Sequence, residues 1–289
     1  MPTNEHICVH FHIFKNAGST IDWTLEKNFG KNALKFDDKK NPGNIFSPDT
    51  VLNYLDKHPA AKAISSHQIR FPLPQSNHHH FLPLVFIRQP IDRAFSVYNF
   101  KRREVRTTPC ILKAKSASFR EFAEYNLKSR TLMVIKNFQT LFLSRQDNKP
   151  NITTNDLDKA MKNLQSCPTI GVVDRMDESL VAGEEALRAY FQDIDLSYIS
   201  QNVSLERTGT LAERMESIKL ELGDDVMHEF IRANALDLRL YYYANKELDN
   251  RLKQIENLES KLQHFRERCQ THLRRNPSLS FKSIIGDHN

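Results

Sequence analysis

Residues 7–20 read Ile7-Cys-Val-His-Phe-His-Ile-Phe-Lys-Asn-Ala-Gly-Ser-Thr20, an apolar run followed by a polar turn. The run is rich in β-branched and aromatic side chains, which is typical of a buried β-strand. After the turn, apolar residues recur at Ile21, Leu25 and Phe29, and this spacing predicts a helix. The unit is therefore a strand, a polar loop and a helix.

The same alternation of strands and helices continues along the chain. Further strands are predicted at residues 63–66, 81–87 and 169–173, and further helices at residues 51–57, 91–106, 119–145, 156–164, 178–191 and 224–243. Strands that alternate with helices favour an α/β fold with a central, mostly parallel sheet flanked by helices. The chain is long enough for such a domain, and we assign it to residues 1–245.

A helical tail follows this domain. Between residues 247 and 273 the chain has neither proline nor glycine, and apolar residues from Leu248 to Phe265 recur at steps of three and four. The pattern predicts one long amphipathic helix over residues 246–275, with a frayed tail at residues 276–289. Its apolar stripe must be buried on the domain or on another subunit, and we expect a homo-oligomer formed through this helix.

Composition limits the classes of function. Lysine and arginine exceed aspartate and glutamate by 41 to 35, a formal net charge of +6. This mild excess suits an anionic ligand, whereas a dedicated nucleic-acid-binding protein would carry a denser basic surface. The four cysteines are far apart and form no CxxC pair, so we expect reduced thiols and no metal site.

The apolar segments also bear on location. No run has the length of a transmembrane helix, and the first apolar run is already a predicted strand that leaves no room for a signal peptide. We therefore expect a cytoplasmic protein without a transmembrane segment. A catalytic domain excised from a membrane-anchored enzyme would give the same pattern.

The first loop places one lysine, one glycine and two hydroxyl groups at a predicted helix N-terminus: Lys15, Gly18, Ser19 and Thr20. Backbone N–H groups at this end of a helix are unpaired and attract anions. Glycine lets a phosphate approach the backbone, and the lysine adds a positive charge. The loop is either an anion site or a plain connection. It is not a Walker A loop, because there the lysine follows the second glycine.

The second loop follows the strand predicted at residues 81–87. Arg88 ends the strand, and Ser96 lies eight positions later in the next helix. An arginine at the carboxyl edge of a parallel sheet is well placed to bind a phosphate. The alternative is that Arg88, Asp92 and Arg93 form ion pairs at the surface.

Together the two loops resemble those of the PAPS-dependent sulfotransferase superfamily. Phe14-Lys-Asn-Ala-Gly-Ser-Thr20 is similar to the loop that binds the 5′-phosphosulfate, and Arg88-x-Pro-x-x-Arg-x-x-Ser96 to the loop that binds the 3′-phosphate. The branch it resembles most contains heparan sulfate 2-O-sulfotransferase and related carbohydrate sulfotransferases. The resemblance extends over about residues 7 to 245. It departs from the family pattern at Phe14, where proline is common. Three looser matches complete it, at residues 137–140, 171–179 and 236–241.

The resemblance implies a P-loop-NTPase-like sulfotransferase fold and roles for the loop residues. Lys15 would contact the bridging oxygen and stabilise charge on the departing phosphate, while Arg88 and Ser96 would bind the 3′-phosphate. Transfer of the sulfuryl group to an acceptor hydroxyl of a carbohydrate or glycoconjugate would be in line and metal-free, with PAP as the product. The residues implied to hold the 5′ end of PAPS are Lys15, Asn16, Ala17, Gly18, Ser19 and Thr20.

A hydroxyl acceptor needs a base within hydrogen-bonding distance. His67 follows the strand predicted at residues 63–66, and related carbohydrate sulfotransferases are similar in placing a catalytic histidine there. A histidine's ordinary pKa of about 6.5 suits proton transfer near neutral pH. We expect His10 and His12 in the core or on the sheet surface and the histidines of residues 78–80 on a solvated loop. A glutamate base stays open as an alternative.

Two other classes of protein share the strand–loop–helix unit. A P-loop-like kinase or nucleotide hydrolase would need a Walker lysine and a magnesium-binding carboxylate, and the sequence has no GK[ST] motif. A noncatalytic scaffold would keep the fold without needing Lys15, Arg88 and Ser96 together. The sequence therefore favours a sulfotransferase, and it leaves the acceptor open between a glycan, a lipid-linked sugar and a small alcohol.

Overall fold

A computed structural model describes residues 5–200 and 209–275 of the chain. Its centre is a parallel sheet of five strands in the order β2-β3-β1-β4-β5. The strands are β1 (Glu5–Phe11), β2 (Ala33–Lys35), β3 (Ala63–Ser66), β4 (His79–Ile87) and β5 (Thr169–Val172). The predicted α/β class with a parallel sheet is confirmed. Every strand predicted from the sequence is present, and β2 is an additional edge strand.

Helices cover both faces of the sheet. None of those within the described ranges combines the length and the hydrophobicity that a membrane crossing requires. In chain order they are α1 (Gly18–Phe29), α2 (Pro48–Asp56), α3 (Pro90–Arg103), α4 (Pro109–Ser116), α5 (Phe119–Lys128), α6 (Phe138–Ser144), α7 (Thr154–Gln165), α8 (Met176–Leu187), α9 (Leu211–Ala233), α10 (Ala235–Leu252) and α11 (Leu258–Arg275).

β4 shows how the two helical layers share the sheet. Its last six residues are all buried, and alternate side chains enter different clusters. Leu84 and Phe86 pack with α1, α8 and α11, whereas Val85 and Ile87 pack with α7 and α10 on the other side. Successive side chains of a strand point to opposite faces, so a sheet between two helical layers requires a continuous apolar run. The strand begins at His79, so part of the predicted histidine loop belongs to β4.

The strand order defines one special position at the carboxyl edge. β1 lies between β3 and β4; the chain leaves β1 toward one edge of the sheet and reaches β5 at the other. In open parallel sheets, ligands bind at the carboxyl ends of the strands where the direction of the connections reverses. The loops after β1 and β4 border that point, and the loop after β3 lies on the other side of β1.

Two predicted helices are each divided in the structure, and the sequence reasoning missed α4. The stretch at residues 119–145 contains α5, which begins at the capping box of Ser118, and α6, which begins after Asn137. Asn137 has a left-handed φ of 45°, a conformation that asparagine tolerates better than most residues. The stretch at residues 224–243 is likewise divided at Asn234, between α9 and α10.

The C-terminal helix predicted over residues 246–275 is also broken. α10 and α11 are separated by residues 253–257, where Asn257 has a left-handed φ of 54°. The break allows the stripe to be buried on both sides of the sheet, α10 with α7 and α11 with α8. The stripe residues that are buried are Leu248, Leu252, Leu262 and Phe265.

This packing removes the reason for expecting an oligomer formed through the tail, and the oligomer itself stays a prediction. The stripe that we expected to contact a second subunit contacts the chain's own domain, and Leu248 and Phe265 are both 0% exposed. The observation that favoured a partner chain is therefore explained by intrachain packing. The predicted frayed tail, residues 276–289, lies outside the described residues.

We predict that Phe265→Ala lowers the free energy of unfolding by about 3–5 kcal/mol, because the buried ring leaves a cavity beneath α11. The matched control is Leu273→Ala on the same helix, where the side chain is 40% exposed. We expect it to change the free energy by less than about 0.5 kcal/mol. Urea denaturation followed by circular dichroism measures both, and equal losses would contradict the packing of α11 on the domain.

Candidate functional site

The loops after β1, β3 and β4 meet at the carboxyl edge of the sheet. His67, the first residue after β3, donates a hydrogen bond from Nδ1 to the backbone oxygen of His12 at 2.6 Å. Arg88, directly after β4, donates from Nη1 to the backbone oxygen of Lys15 at 2.8 Å. The structure therefore brings the predicted base and both predicted loops together, with the loop after β1 in the middle.

The loop between β1 and α1 has an unusual backbone. Lys15 and Ala17 both have positive φ angles, 67° and 61°. Among the described residues, no side chain caps the N-terminus of α1, which begins at Gly18. Ser19 is exposed beside it, whereas Thr20 is buried. An uncapped helix start next to a lysine is an arrangement that favours an anion.

Gly18 is required by the ring of His12. A Cβ atom at this position would lie 1.9 Å from Nε2 of His12, far inside any contact distance. The absent side chain lets α1 begin directly against the end of β1. The glycine that we predicted to admit a phosphate therefore has a packing role as well.

Asn16 is buried and holds the loop against β4. Its Nδ2 donates to the backbone oxygen of Phe86 and to Oε1 of Gln139, both at 2.7 Å. The side chain of Gln139 in turn binds both backbone groups of Arg88. Its Oε1 accepts from the Arg88 N–H at 2.9 Å, and its Nε2 donates to the Arg88 backbone oxygen at 2.9 Å. Oδ1 of Asn16 is buried without a hydrogen-bond partner among the described residues. The side chain of Asn16 is thus a structural part of the loop.

The start of α6, which carries Gln139, is anchored by Asp237 of α10. The carboxylate of Asp237 accepts hydrogen bonds from two backbone N–H groups of α6 at 3.0 and 2.8 Å. In return, Oδ1 of Asn137 accepts from two N–H groups of α10, both at 3.1 Å. Each helix start therefore caps the other. Two segments of the resemblance, residues 137–140 and 236–241, form this one contact.

Arg88 is committed to the protein rather than to an open crevice. It is 1% exposed, and its Nε donates to Oδ2 of Asp92 at 2.6 Å. The other oxygen of Asp92 accepts from Arg214 at 2.9 Å, and Arg214 also pairs with Asp174 at 2.8 Å. The ion pair that we weighed as the alternative for Arg88 is therefore present, but it is buried. In this geometry Arg88 positions the Lys15 carbonyl, and its contact with a phosphate stays a prediction.

Ser96 is the more open residue of the second loop. It is 9% exposed, and its hydroxyl forms no hydrogen bond with the part of the chain that the structure describes. Arg93, by contrast, is 0% exposed and donates to the backbone oxygens of Phe14 and Val134 at 3.2 and 2.5 Å. The Ser96 hydroxyl could therefore form a hydrogen bond with a ligand at this edge without breaking one to the described residues.

The hydrogen bonds of His67 determine its tautomer. Because the backbone oxygen of His12 can only accept, Nδ1 carries the proton and Nε2 keeps its lone pair. Nε2 has no hydrogen-bond partner within residues 5–200 and 209–275. Asp37 accepts from the backbone N–H of His67 at 2.8 Å. Burial and the neighbouring His12 lower the pKa of His67 to about 4, so the ring is neutral at pH 7 and able to accept a proton.

A cluster of two histidines and a carboxylate lies behind His67. Nδ1 of His10 and Nδ1 of His12 lie 3.0 and 3.4 Å from the two oxygens of Asp22. One ring nitrogen of each histidine and one carboxylate oxygen lie within 4.8 Å of one another, close enough for a metal ion. They are already joined by hydrogen bonds, so we assign the cluster a structural role. Burial by itself raises the pKa of Asp22, but hydrogen bonds from both histidines outweigh it and keep the carboxyl well below its ordinary pKa.

The sequence reasoning missed Asp22, Asp37 and Gln139 as parts of this site, and it considered Asp92 as an ion-pair partner of Arg88 at the surface. Asp22 gave the clearest signal, since it follows the apolar Ile21 near the start of the first predicted helix. The others are single polar residues whose partners come from distant segments. Nothing local to them indicates the contact.

Taken together, the fold and the site define an α/β protein with a candidate ligand site at the carboxyl edge of a parallel sheet. No established protein-family model matches the chain. An uncharacterized protein of Archaeoglobus fulgidus is 33% identical over 252 residues, which cover 82% of this chain and 95% of that protein. The chain therefore belongs to the same family as this archaeal protein. Since the relative is uncharacterized, the function has to be argued from the site.

We predict that His67 makes the folded protein sensitive to mild acid. The unfolded chain binds a proton below about pH 6.5, whereas folded His67 binds one only near pH 4. The free energy of unfolding should therefore fall as the pH drops from 6.5 to 4, by at most about 3 kcal/mol from this group.

Urea denaturation at pH 7 and pH 4.5 tests this on the wild type and on His67→Asn. The wild type should lose more stability on acidification than the variant does. His228→Asn, on the exposed side of α9, is the control for removing a histidine. An equal loss in the wild type and in His67→Asn would show that His67 titrates normally in the folded protein.

Proposed function

We propose that this protein is a PAPS-dependent sulfotransferase of the cytoplasm that transfers a sulfuryl group to an acceptor hydroxyl, in a carbohydrate or glycoconjugate. One observation carries the proposal. Nε2 of His67 bears a lone pair, and Nδ1 of the same ring is hydrogen-bonded to the backbone oxygen of His12. His12 lies three residues before Lys15, so a base lies beside a loop that carries a lysine. An acceptor hydroxyl at Nε2 of His67 would have a proton acceptor beside it and an anion site at the same edge of the sheet.

The residues of the first loop fit the 5′ end of the donor. The uncapped start of α1 offers backbone N–H groups, and Ser19 is exposed beside them. Nζ of Lys15 lies 4.8 Å from the ring centre of Phe100, a cation–π contact with a ring that is itself 37% exposed. This contact holds the ammonium group near the surface of the site, where a phosphate would meet it.

The residues of the second loop fit the 3′-phosphate in part. The Ser96 hydroxyl makes no hydrogen bond to the described residues and is suited to donate to a phosphate. Arg88 is buried by Asp92 and the Lys15 carbonyl, so its main contribution would be to orient the first loop. Within the proposal, Ser96 is the residue that tests recognition of the 3′-phosphate.

The chemistry would use the chain's residues in three roles. PAPS would supply the sulfuryl group and leave as PAP. His67 would take the acceptor's proton on Nε2 while the acceptor oxygen forms its bond to sulfur, and Asp37 would hold the backbone of His67 in place. Lys15 would stabilise the negative charge on the departing phosphate as the bond between sulfur and the bridging oxygen breaks.

Binding of PAP, ADP and ATP separates this proposal from its rivals. We expect PAP to raise the melting temperature far more than ADP does, because only PAP carries a 3′-phosphate, whereas ADP has both of its phosphates at the 5′ position. A hydrogen bond to a charged group contributes about 1.5–3 kcal/mol, so Ser96→Ala should weaken PAP about 10- to 100-fold and leave ADP unchanged. Calorimetry measures both affinities.

The matched control is Ser19→Ala in the first loop, which should weaken both PAP and ADP, because both carry phosphate at the 5′ position. Arg88→Ala is a poorer probe, since it leaves Asp92 short of one arginine and should destabilise the fold by about 3 kcal/mol. Equal affinity of the wild type for PAP and ADP would contradict the proposal. Preference for ATP with magnesium would favour the kinase or hydrolase class.

Kinetics with a panel of acceptor glycans and alcohols test the two catalytic roles. Lys15→Ala should lower kcat much more than it weakens PAP, because the charge it stabilises develops in the transition state. His67→Ala should abolish transfer and change PAP affinity by less than about twofold, whereas the exposed-site control His228→Ala should keep full activity. Substantial turnover by His67→Ala would assign the proton transfer to another residue. PAP binding without transfer to any acceptor would favour the scaffold class.

A further inference from the structure

His12 contacts both the first loop, residues 14–20, which we call the donor loop, and the candidate base His67. Nε2 of its ring faces Gly18, where an added Cβ would be 1.9 Å away. On another side, its ring centre lies 3.9 Å from that of His67, with 39° between the planes. The ring of His12 thus fills the space between the first residue of α1 and the candidate base. Its position sets how far apart the two can be.

Asp22 holds this ring from the far side. Oδ2 of Asp22 lies 3.4 Å from Nδ1 of His12, while Oδ1 lies 3.0 Å from Nδ1 of His10 and accepts from Ser65 at 2.5 Å. Asp22 lies on the same helix as Gly18, one turn further on. The helix that begins at the donor loop therefore fixes both edges of the His12 ring.

We propose that Asp22 is a positioning residue for His67: it holds the His12 ring as a wedge between the donor loop and the base, and it places a negative charge behind them. The inference rests on the proposed function, because it takes His67 as the group that accepts the proton. Neither residue would touch the substrate in this role. Both would act through the placement and the charge balance of His67.

The charge of Asp22 matters when His67 becomes a cation. The titratable and charged groups that face His67 are His12 from the end of β1, Asp22 from α1, Asp37 from the loop after β2, and Arg70, which donates to the His67 backbone oxygen at 2.7 Å. Burial and His12 disfavour the protonated ring, whereas Asp37 and Asp22 favour it. Two fixed carboxylates thus offset part of the cost of burying the imidazolium as the proton arrives.

Asp22→Asn tests the proposal with little change of volume. We expect kcat to fall about 10- to 100-fold, as for a misplaced catalytic group, with PAP affinity nearly unchanged. The acid limb of the pH profile of kcat/KM should move to lower pH, because loss of the charge disfavours protonated His67. The control is Glu26→Gln, one turn further along α1, where the carboxylate pairs with Lys35 at 2.7 Å near the surface. It removes the same charge and should leave the profile in place.

A second readout needs neither donor nor acceptor. Long-range ¹H–¹⁵N spectra of the labelled protein, with His67 assigned by its loss in His67→Asn, report its tautomer and its titration. The wild type should show the Nδ1–H tautomer; in Asp22→Asn, His67 should titrate at lower pH. Identical His67 signals in the wild type and in Asp22→Asn would overturn the proposal. If the NMR shift is present but PAP does not bind, the sulfotransferase proposal fails while the coupling of Asp22 to His67 stands.

His12→Gln covers the case in which Asp22→Asn does not fold, which thermal unfolding would reveal. This variant keeps the backbone oxygen that accepts from His67 and removes the ring. We expect it to retain the Nδ1–H tautomer and to lose kcat by about the same 10- to 100-fold factor, since the base is no longer held against the loop. Normal kcat in His12→Gln would show that the wedge has no role in positioning.

Discussion

The buried carboxylate of Asp92 is the group on which the geometry of the sheet edge depends. It lies between two arginines, 2.6 Å from Arg88 and 2.9 Å from Arg214, and it is 1% exposed. A buried ion pair contributes little net stability compared with apolar packing, but it tolerates few alternative arrangements. With Arg88 held in this way, its Nη1 donates to the carbonyl of Lys15 and fixes the loop after β1.

The predictable part of the fold is the part encoded by neighbouring residues. β3 has the bounds expected from its sequence, and the strand–loop–helix unit at the N-terminus is present, because apolar periodicity is a local signal. The breaks were not predictable in the same way. Asn137 and Asn257 look ordinary in the sequence, yet both take left-handed conformations that let two helices pack where one could not. The break at Asn257 also removes the reason for expecting an oligomer through one long helix.

In the candidate site, too, the predictable residues are those with a local signal in the sequence. Lys15 and His67 were found because each follows a strand, and strand ends in a parallel sheet share one edge. The burial of Arg88 was not indicated by the sequence, because its partner Asp92 is also bound by Arg214, 122 residues later in the chain. Gln139 lies in a segment of the resemblance, but nothing in the sequence indicates that it joins two loops from elsewhere in the chain. Partners of this kind become visible when the tertiary contacts are known.

The position of α11 has a consequence for how the protein is made. Cys8 of β1, near the start of the chain, shares a buried cluster with Phe265 of α11. During synthesis, one face of the central strand therefore stays without part of its cover until the ribosome has added more than two hundred further residues. Exposed strands and apolar surface are what makes nascent chains prone to aggregate. Until α11 has been made, this face of β1 therefore presents apolar surface to other molecules in the cell.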